Sequence, residues 1–281
     1  MVKTVTSNDI SSDRQVINDY LEALLHNQRT RDASSVHDAM CYAVLGSAQR
    51  IRPVLTLQVA RMLGVEKSAI LRAGVSVELF HCASLIIDDL PCMDDSATRR
   101  DAPSVHIRFG EATAILAAFG LVALAARSLV ECPSATTEDR SRLAQFQLQL
   151  LRALDCSALI AGQALDLRLI GDLREQQRTR VTELKTVPLF QLAVQAGTLC
   201  SNLSHAEAAA LRSFGLAFGT AFQTADDYLD GECADVALLE EQLTNARECL
   251  SIFGDSATEL EGLLSYLHAR AQRHETDRRY W

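Results

Sequence analysis

The chain has 281 residues and a mass of 30.8 kDa, enough to bury a core without disulfides or structural metals. With 48% hydrophobic and 22% charged residues it is neither a disordered nor a fibrous sequence. Its 27 Lys+Arg against 36 Asp+Glu give a formal charge of −9, which excludes general nucleic-acid binding.

Residues 1–14 are polar and read as a flexible amino-terminal segment without a secretory or transit pattern, so the expected compartment is the cytoplasm. Apolar residues then recur three and four apart over 16–25, 54–63, 70–87, 143–159 and 206–229, while strict two-residue alternation is almost absent. Five prolines leave long intervals unbroken. The prediction is an all-α fold without a sheet, forming one domain over 1–281. The run 112–126 falls short of the roughly 20 residues a membrane span needs and reads as a buried core helix. Turn chemistry or charge predicts breaks at 93–104, 132–138, 171–178, 200–204 and 231–235, with Ser134 and Ser204 as amino caps. The eight cysteines show no metal-binding spacing and read as reduced core residues.

Chemistry concentrates in two acidic clusters. Asp88 and Asp89 end an apolar helix before Pro91, and Asp94 and Asp95 follow in the turn. Downstream, Asp226 and Asp230 lie four apart on one helical face with Asp227 beside them. Either cluster alone reads better as a solvated helix end. Two of them, each following an apolar segment, argue for a shared cation, because uncompensated buried carboxylates are costly. An oxygen-only ligand set suits Mg2+, whose shell is completed by water and substrate phosphate. His81 lies seven residues before Asp88, on the same face of its helix, and Gln223 is one turn before Asp227. Phe214, Phe218 and Phe222 form a stripe that reads as core.

The run 88–94 with Arg99-Arg100 after it, and Phe222-Gln223 leading into 226–230, resembles the trans-polyprenyl diphosphate synthase family, in particular bacterial geranylgeranyl and farnesyl diphosphate synthases. Arg50-Ile-Arg-Pro53, the segment 109–116, Gly162-Gln-Ala-Leu-Asp166 and Lys185-Thr186 occur in the same order. The resemblance implies a helical bundle of the isoprenoid synthase type with a central cavity, usually a homodimer with no membrane span. It implies Mg2+ held by Asp88, Asp89, Asp94, Asp166, Asp226, Asp227 and Asp230. Arg52, His81, Arg99, Arg100, Gln163 and Lys185 would bind substrate, and Lys185, Thr186 and Gln223 would act at the reacting centre. The implied reaction condenses an allylic prenyl diphosphate with isopentenyl diphosphate, with geranylgeranyl diphosphate as the expected product, because Ala83 and Ser84 are too small to stop the growing tail. A terpene-synthase-like lyase using one prenyl diphosphate and a non-catalytic partner subunit stand as alternatives.

The chain departs from the family pattern in three places. It reads Ser47-Ala48-Gln49 where the family has Gly-Gly-Lys, and Ala118-Phe119 where a Gly-Asp pair is common. A lysine-bearing loop expected after Asp230 is shortened to a few residues before the helix expected near Val236. Loss of the lysine predicts weaker isopentenyl diphosphate binding.

Overall fold

The computed structural model describes residues 7–66, 68–131, 136–168, 175–230 and 236–278. It is all-α. In chain order the helices are α1 (Ser7–His26), α2 (Ser34–Leu45), α3 (Ile51–Met62), α4 (Ser68–Asp88), α5 (Val105–Phe109), α6 (Glu111–Val130) and α7 (Thr137–Arg152). Then come α8 (Leu159–Asp166), α9 (Glu175–Lys185), α10 (Val187–Thr198), α11 (His205–Asp230), α12 (Val236–Leu250), a 3-10 turn (Ser251–Ala257) and α13 (Thr258–Arg278).

Helix α4 is the axis of the bundle. It is buried from Ala69 to Ile86 on nearly every side, packing against α3, α6 and α10, so its sequence lacks a polar face. Helices α3 and α10 approach closely because Gly197 faces them: a Cβ there would lie 2.6 Å from Val59 Cβ and 2.7 Å from the Thr56 carbonyl. Across the same contact Thr56 Oγ1 donates to the Ala193 carbonyl at 2.8 Å. The phenylalanine stripe is core as expected, with Phe214 and Phe218 fully buried and Phe190 against Phe218 and Phe222.

Several expectations are corrected. The amino-terminal segment is helical from Ser7, and Asp13 is buried against Arg61, so the flexible reading fails for 7–14; residues 1–6 lie outside the described residues. The periodic stretch 143–159 is not one helix: α7 ends at Arg152 and α8 begins only at Leu159. The Asp155 carboxylate accepts from the Cys156 amide at 2.6 Å and the Ala158 amide bonds the Asp155 carbonyl, a local alternative that stops α7 at Arg152. The break at 93–104 contains a two-stranded hairpin, β1 (Thr98–Arg99) with β2 (Ala102–Pro103), where no strand was expected. Its central residues Arg100 and Asp101 both have positive φ, 54° and 62°, as a tight two-residue turn demands.

Helix α6 is not buried all round: Leu116, Phe119 and Val130 are more than half exposed along one face. By length and composition both α4 and α6 are apolar enough to cross a membrane, with 67% and 44% of their apolar windows buried. Not all cysteines are core either, since Cys92 and Cys156 are exposed, while Cys132 and Cys233 fall outside the described residues. Ser204 caps α11 reciprocally with Glu207, as expected. Ser134 lies outside the described residues, and α7 is capped by Thr136 through a reciprocal bond pair with Asp139.

Candidate active site

The carboxyl end of α4 separates two cavities. One, of about 860 Å³, is polar and is walled by α3, α4, α11, α13, the hairpin and the Lys185-Thr186 junction. The other, of about 380 Å³, is apolar and lies between α4, α6, α8 and the turn that carries Leu154. Ser84 and Asp88 line both.

Seven arginine and lysine side chains and four carboxylates line the polar cavity, a positive excess inside an acidic chain that selects for an anion. Three non-glycine residues with positive φ, Arg50, Arg100 and Asp101, line it, a costly backbone that tertiary contacts must hold. Arg50 opens α3 in this way. Its guanidinium turns inward to Glu78 at 2.9 Å, to the Val44 carbonyl and to Asn18 Oδ1, so it is structural although it borders the cavity. Arg52, two residues on, faces the cavity. Its Cζ lies 4.5 Å from the Phe190 ring centre, and its Nε is buried without a hydrogen-bond partner.

His81 also lines the cavity. Burial, and then Arg52, Arg100 and Arg99, hold its imidazole well below the usual histidine range. It is therefore neutral at pH 7, with one N–H available to an anion. Arg100 reaches the cavity from the hairpin turn. Arg99 lines it too, but its Nε and Nη2 both donate to Asp89. Asp89 is 2% exposed and borders a separate small pocket, so the two aspartates that end the α4 segment face different ways.

Asp88 is the member of that pair that faces the cavities, and it is half-buried. Burial raises its carboxyl to about 6, partly offset by Lys185, and no hydrogen bond or ion pair to it forms among the described residues. Asp94 folds back beneath α4, its amide donating to the Asp88 carbonyl at 2.9 Å, and its side chain is exposed.

Across the cavity, Lys185 Nζ bonds Asp166 Oδ2 at 2.7 Å. The contact depends on Gly162: a Cβ there would lie 2.7 Å from Lys185 Cγ, so α8 could not reach the end of α9. Thr186 Oγ1 donates to Gln223 Oε1 at 2.7 Å, and Gln223 Nε2 donates to Asp227 Oδ1 at 2.6 Å, a relay running from the α9–α10 junction onto α11. Asp226 lines the cavity and accepts from Arg270 at 2.7 Å. The Asp230 side chain lies outside the described residues, as does the segment 231–235.

Gln163 is placed apart from this group. It faces the apolar cavity, where its Oε1 is buried without a partner and its Nε2 approaches Met93 Sδ at 3.9 Å. Ala83, Ala118 and Ala164 line the same cavity with small side chains, and Phe119 borders it while 68% exposed.

Two lining cations escape a reading of the motifs: Arg270 on α13 and Arg14 on α1. Neither neighbours a motif in sequence, and the signal that places them is contact between distant helices.

Among the described residues no three acidic, histidine or cysteine side chains converge as a ready metal site. Cations stand where an ion would: Arg99 on Asp89, Lys185 on Asp166 and Arg270 on Asp226. Asp88 is left with an unpartnered carboxylate facing the cavity that Asp226 also lines, and both offer only oxygen. That set fits a Mg2+-type ion, which takes one or two carboxylates and completes its shell with phosphate oxygens and water.

Comparison with known proteins agrees with this geometry. The family model for polyprenyl synthetases matches residues 33–239. The farnesyl diphosphate synthase of Haemophilus influenzae is 36% identical over 230 residues, covering 78% of this chain and 75% of that protein. A mitochondrial geranylgeranyl pyrophosphate synthase of Arabidopsis thaliana is 37% identical over 201 residues, which is 69% of this chain and 60% of the plant protein's length. Among solved structures, a geranyltransferase of Legionella pneumophila superposes with a TM-score of 0.84 at 32% identity, covering 94% of this chain and 96% of its own. An FPP/GFPP synthase of Zymomonas mobilis superposes equally well at 28% identity over 93% of this chain and 99% of its own.

Proposed function

The chain belongs to the polyprenyl synthetase family, and from that premise we propose that it is a short-chain trans-prenyltransferase. It condenses an allylic prenyl diphosphate with isopentenyl diphosphate and releases geranylgeranyl diphosphate. The observation that carries the reading is the junction at Ser84 and Asp88, where a cation-rich cavity meets an apolar one. A prenyl diphosphate has that division: a trianionic head and a hydrocarbon tail.

The two diphosphate heads occupy the polar cavity. Arg52 and Arg100 meet phosphate oxygens through planar guanidinium forks, and His81, being neutral, donates one N–H without adding charge. Lys185, bonded to Asp166 and close enough to lower the Asp88 carboxyl, meets the allylic head as its carbon–oxygen bond ionises. Asp88 and Asp226 would hold Mg2+, which supplies neutralisation of the charge gathering on the departing diphosphate. Thr186 Oγ1 donates its hydrogen bond to Gln223 Oε1, which leaves the hydroxyl lone pairs for the allylic cation. The homoallylic double bond attacks C1 of that cation, a new carbon–carbon bond forms, and the proton lost from the adjacent carbon passes to the diphosphate set free. The tail lies in the apolar cavity, which keeps water from the cation. Ala83 and Ser84 at its entrance leave room for continued growth, the basis for a twenty-carbon product.

The exposed face of α6, with Leu116, Phe119 and Val130, supports a homodimer formed through this helix. Light scattering of Phe119→Asp should then report a monomer while the parent reports a dimer.

The test is incubation of purified protein with Mg2+ and dimethylallyl, geranyl or farnesyl diphosphate, each with and without isopentenyl diphosphate. An elongated diphosphate formed only when both substrates are present supports the reading. A hydrocarbon or terpene alcohol from the allylic substrate alone would replace it with the lyase.

A further inference from the structure

The wall of the polar cavity formed by residues 47–52 carries a buried donor with no partner, Arg52 Nε. Position 49 holds a neutral side chain where the sequence resemblance leads one to expect a cation. Unpaired buried groups of this kind are costly unless a ligand completes them.

Helix α1 runs beside this wall and is fixed there on both sides of Arg14. One residue before it, Asp13 is buried and bound by Arg61 through two bonds of 2.8 and 2.6 Å, and Arg61 is held in turn by Glu259 at 2.7 Å. Three residues after it, Ile17 is fully buried. One turn along the same face, Asn18 Oδ1 accepts from Arg50 Nε at 3.0 Å, the residue next to Gln49. Arg14 itself lines the cavity, and no hydrogen bond or ion pair to it forms among the described residues. Arg270, by comparison, is engaged with Asp226, and Lys185 with Asp166. An uncommitted guanidinium held at the wall of an anion-selecting cavity, beside a neutral residue and the unsatisfied Arg52 Nε donor, is a phosphate-binding arrangement.

We propose that Arg14 binds the diphosphate of the homoallylic substrate, supplying from the first helix the cation that position 49 lacks. The inference rests on the two-substrate reading given above, and it assigns this end of the cavity to isopentenyl diphosphate and the end at Lys185 and Asp88 to the allylic head. Arg52 then completes the same site with its free Nε.

Calorimetric titration with isopentenyl diphosphate alone, which does not react without an allylic partner, tests this directly. Arg14→Gln should weaken its binding about ten- to a hundred-fold, the loss of one charge-assisted contact. Geranyl diphosphate affinity and the thermal midpoint should stay at the parent values. Arg14→Lys should retain most of the affinity, and Gln49→Lys placed in the Arg14→Gln background should restore it, since a cation then returns to the same wall from the other side. In steady state the effect should fall on KM for isopentenyl diphosphate and not on kcat. The proposal is overturned if Arg14→Gln binds isopentenyl diphosphate as the parent does, if both diphosphates weaken equally, or if Gln49→Lys fails to rescue. A parent protein that binds geranyl diphosphate but no isopentenyl diphosphate at millimolar concentration would overturn the two-substrate reading along with it.

Discussion

The two cavities at the end of α4 are built on opposite principles. The polar one is made by adding side chains: arginines, a lysine and carboxylates brought from α1, α3, α4, α9, α11, α13 and the hairpin, with backbone strain at Arg50, Arg100 and Asp101 accepted to aim them. The apolar one is made by omission, from Ala83, Ser84, Ala118 and Ala164, where larger residues would have closed the bundle. Groups that react must be present and placed, whereas space for a tail requires only that nothing fill it. Substitutions should therefore act differently in the two places, removing chemistry in the first and changing product in the second.

The largest expected effect is in the polar cavity. Asp88→Ala or Asp226→Ala should lower kcat by at least about 10²-fold, the scale for losing a preorganised electrostatic group, with an unchanged far-ultraviolet circular dichroism spectrum. Chelation with EDTA should do the same to the parent. Full turnover in either variant would remove the distinction between the cavities.

Next comes Ala83→Phe, which fills the apolar cavity from α4. The product should shorten while the allylic substrate is still consumed. The fold should lose no more than the about 1–3 kcal/mol of an overpacked core, because the added ring enters space already open. Product chromatography reads this, and an unchanged chain length would place the limiting wall deeper.

Asp88 offers a third test with the opposite sign for stability and activity. Its carboxyl is raised to about 6 from 3.8, so the folded, metal-free protein binds this proton more tightly than the unfolded chain. Stability should rise as pH falls from above 6 towards 4, by about 1–3 kcal/mol, given about 1.4 kcal/mol per pH unit. Urea titrations in EDTA should show Asp88→Asn more stable than the parent at pH 8 and level with it near pH 4. The smallest effect is expected for Arg270→Ala, whose partly exposed pair with Asp226 contributes no more than about 1 kcal/mol.

The sequence carried the polar cavity well because its makers are dense, local and charged: Asp88, Arg99 and Arg100 in one segment, Gln223 and Asp226 in another. Helical periodicity likewise located α4 and α11. What stayed hidden depended on contacts between distant helices or on small local bonds. Periodicity ran through 143–159 unbroken because the Asp155 turn that splits it is made by one side chain bonding the next residue's amide. Residues 7–14 look like a polar tail because their anchor, Asp13 on Arg61, lies 48 positions away. Arg14 and Arg270 belong to no motif, and only the packing of α1 and α13 against the cavity gives them a role. Asp89, by contrast, was readable as an acidic residue but not as one facing away, since adjacent positions on a helix diverge by about 100° and only the core decides which of them points inward.

Ser84 borders both cavities, whereas Ala83, its immediate neighbour, borders only the apolar one. In evolutionary terms the two positions are under different kinds of constraint. A change at Ala83 can retune chain length while leaving the reacting centre alone, so new products are accessible there by single steps that keep the enzyme working. A change at Ser84 alters the tail cavity and the neighbourhood of the diphosphate together, and a lineage that explored it would have to find its compensations on α3 or α11 at the same time. Diversification of product length should therefore run through position 83 first, leaving position 84 as the slower of two adjacent sites.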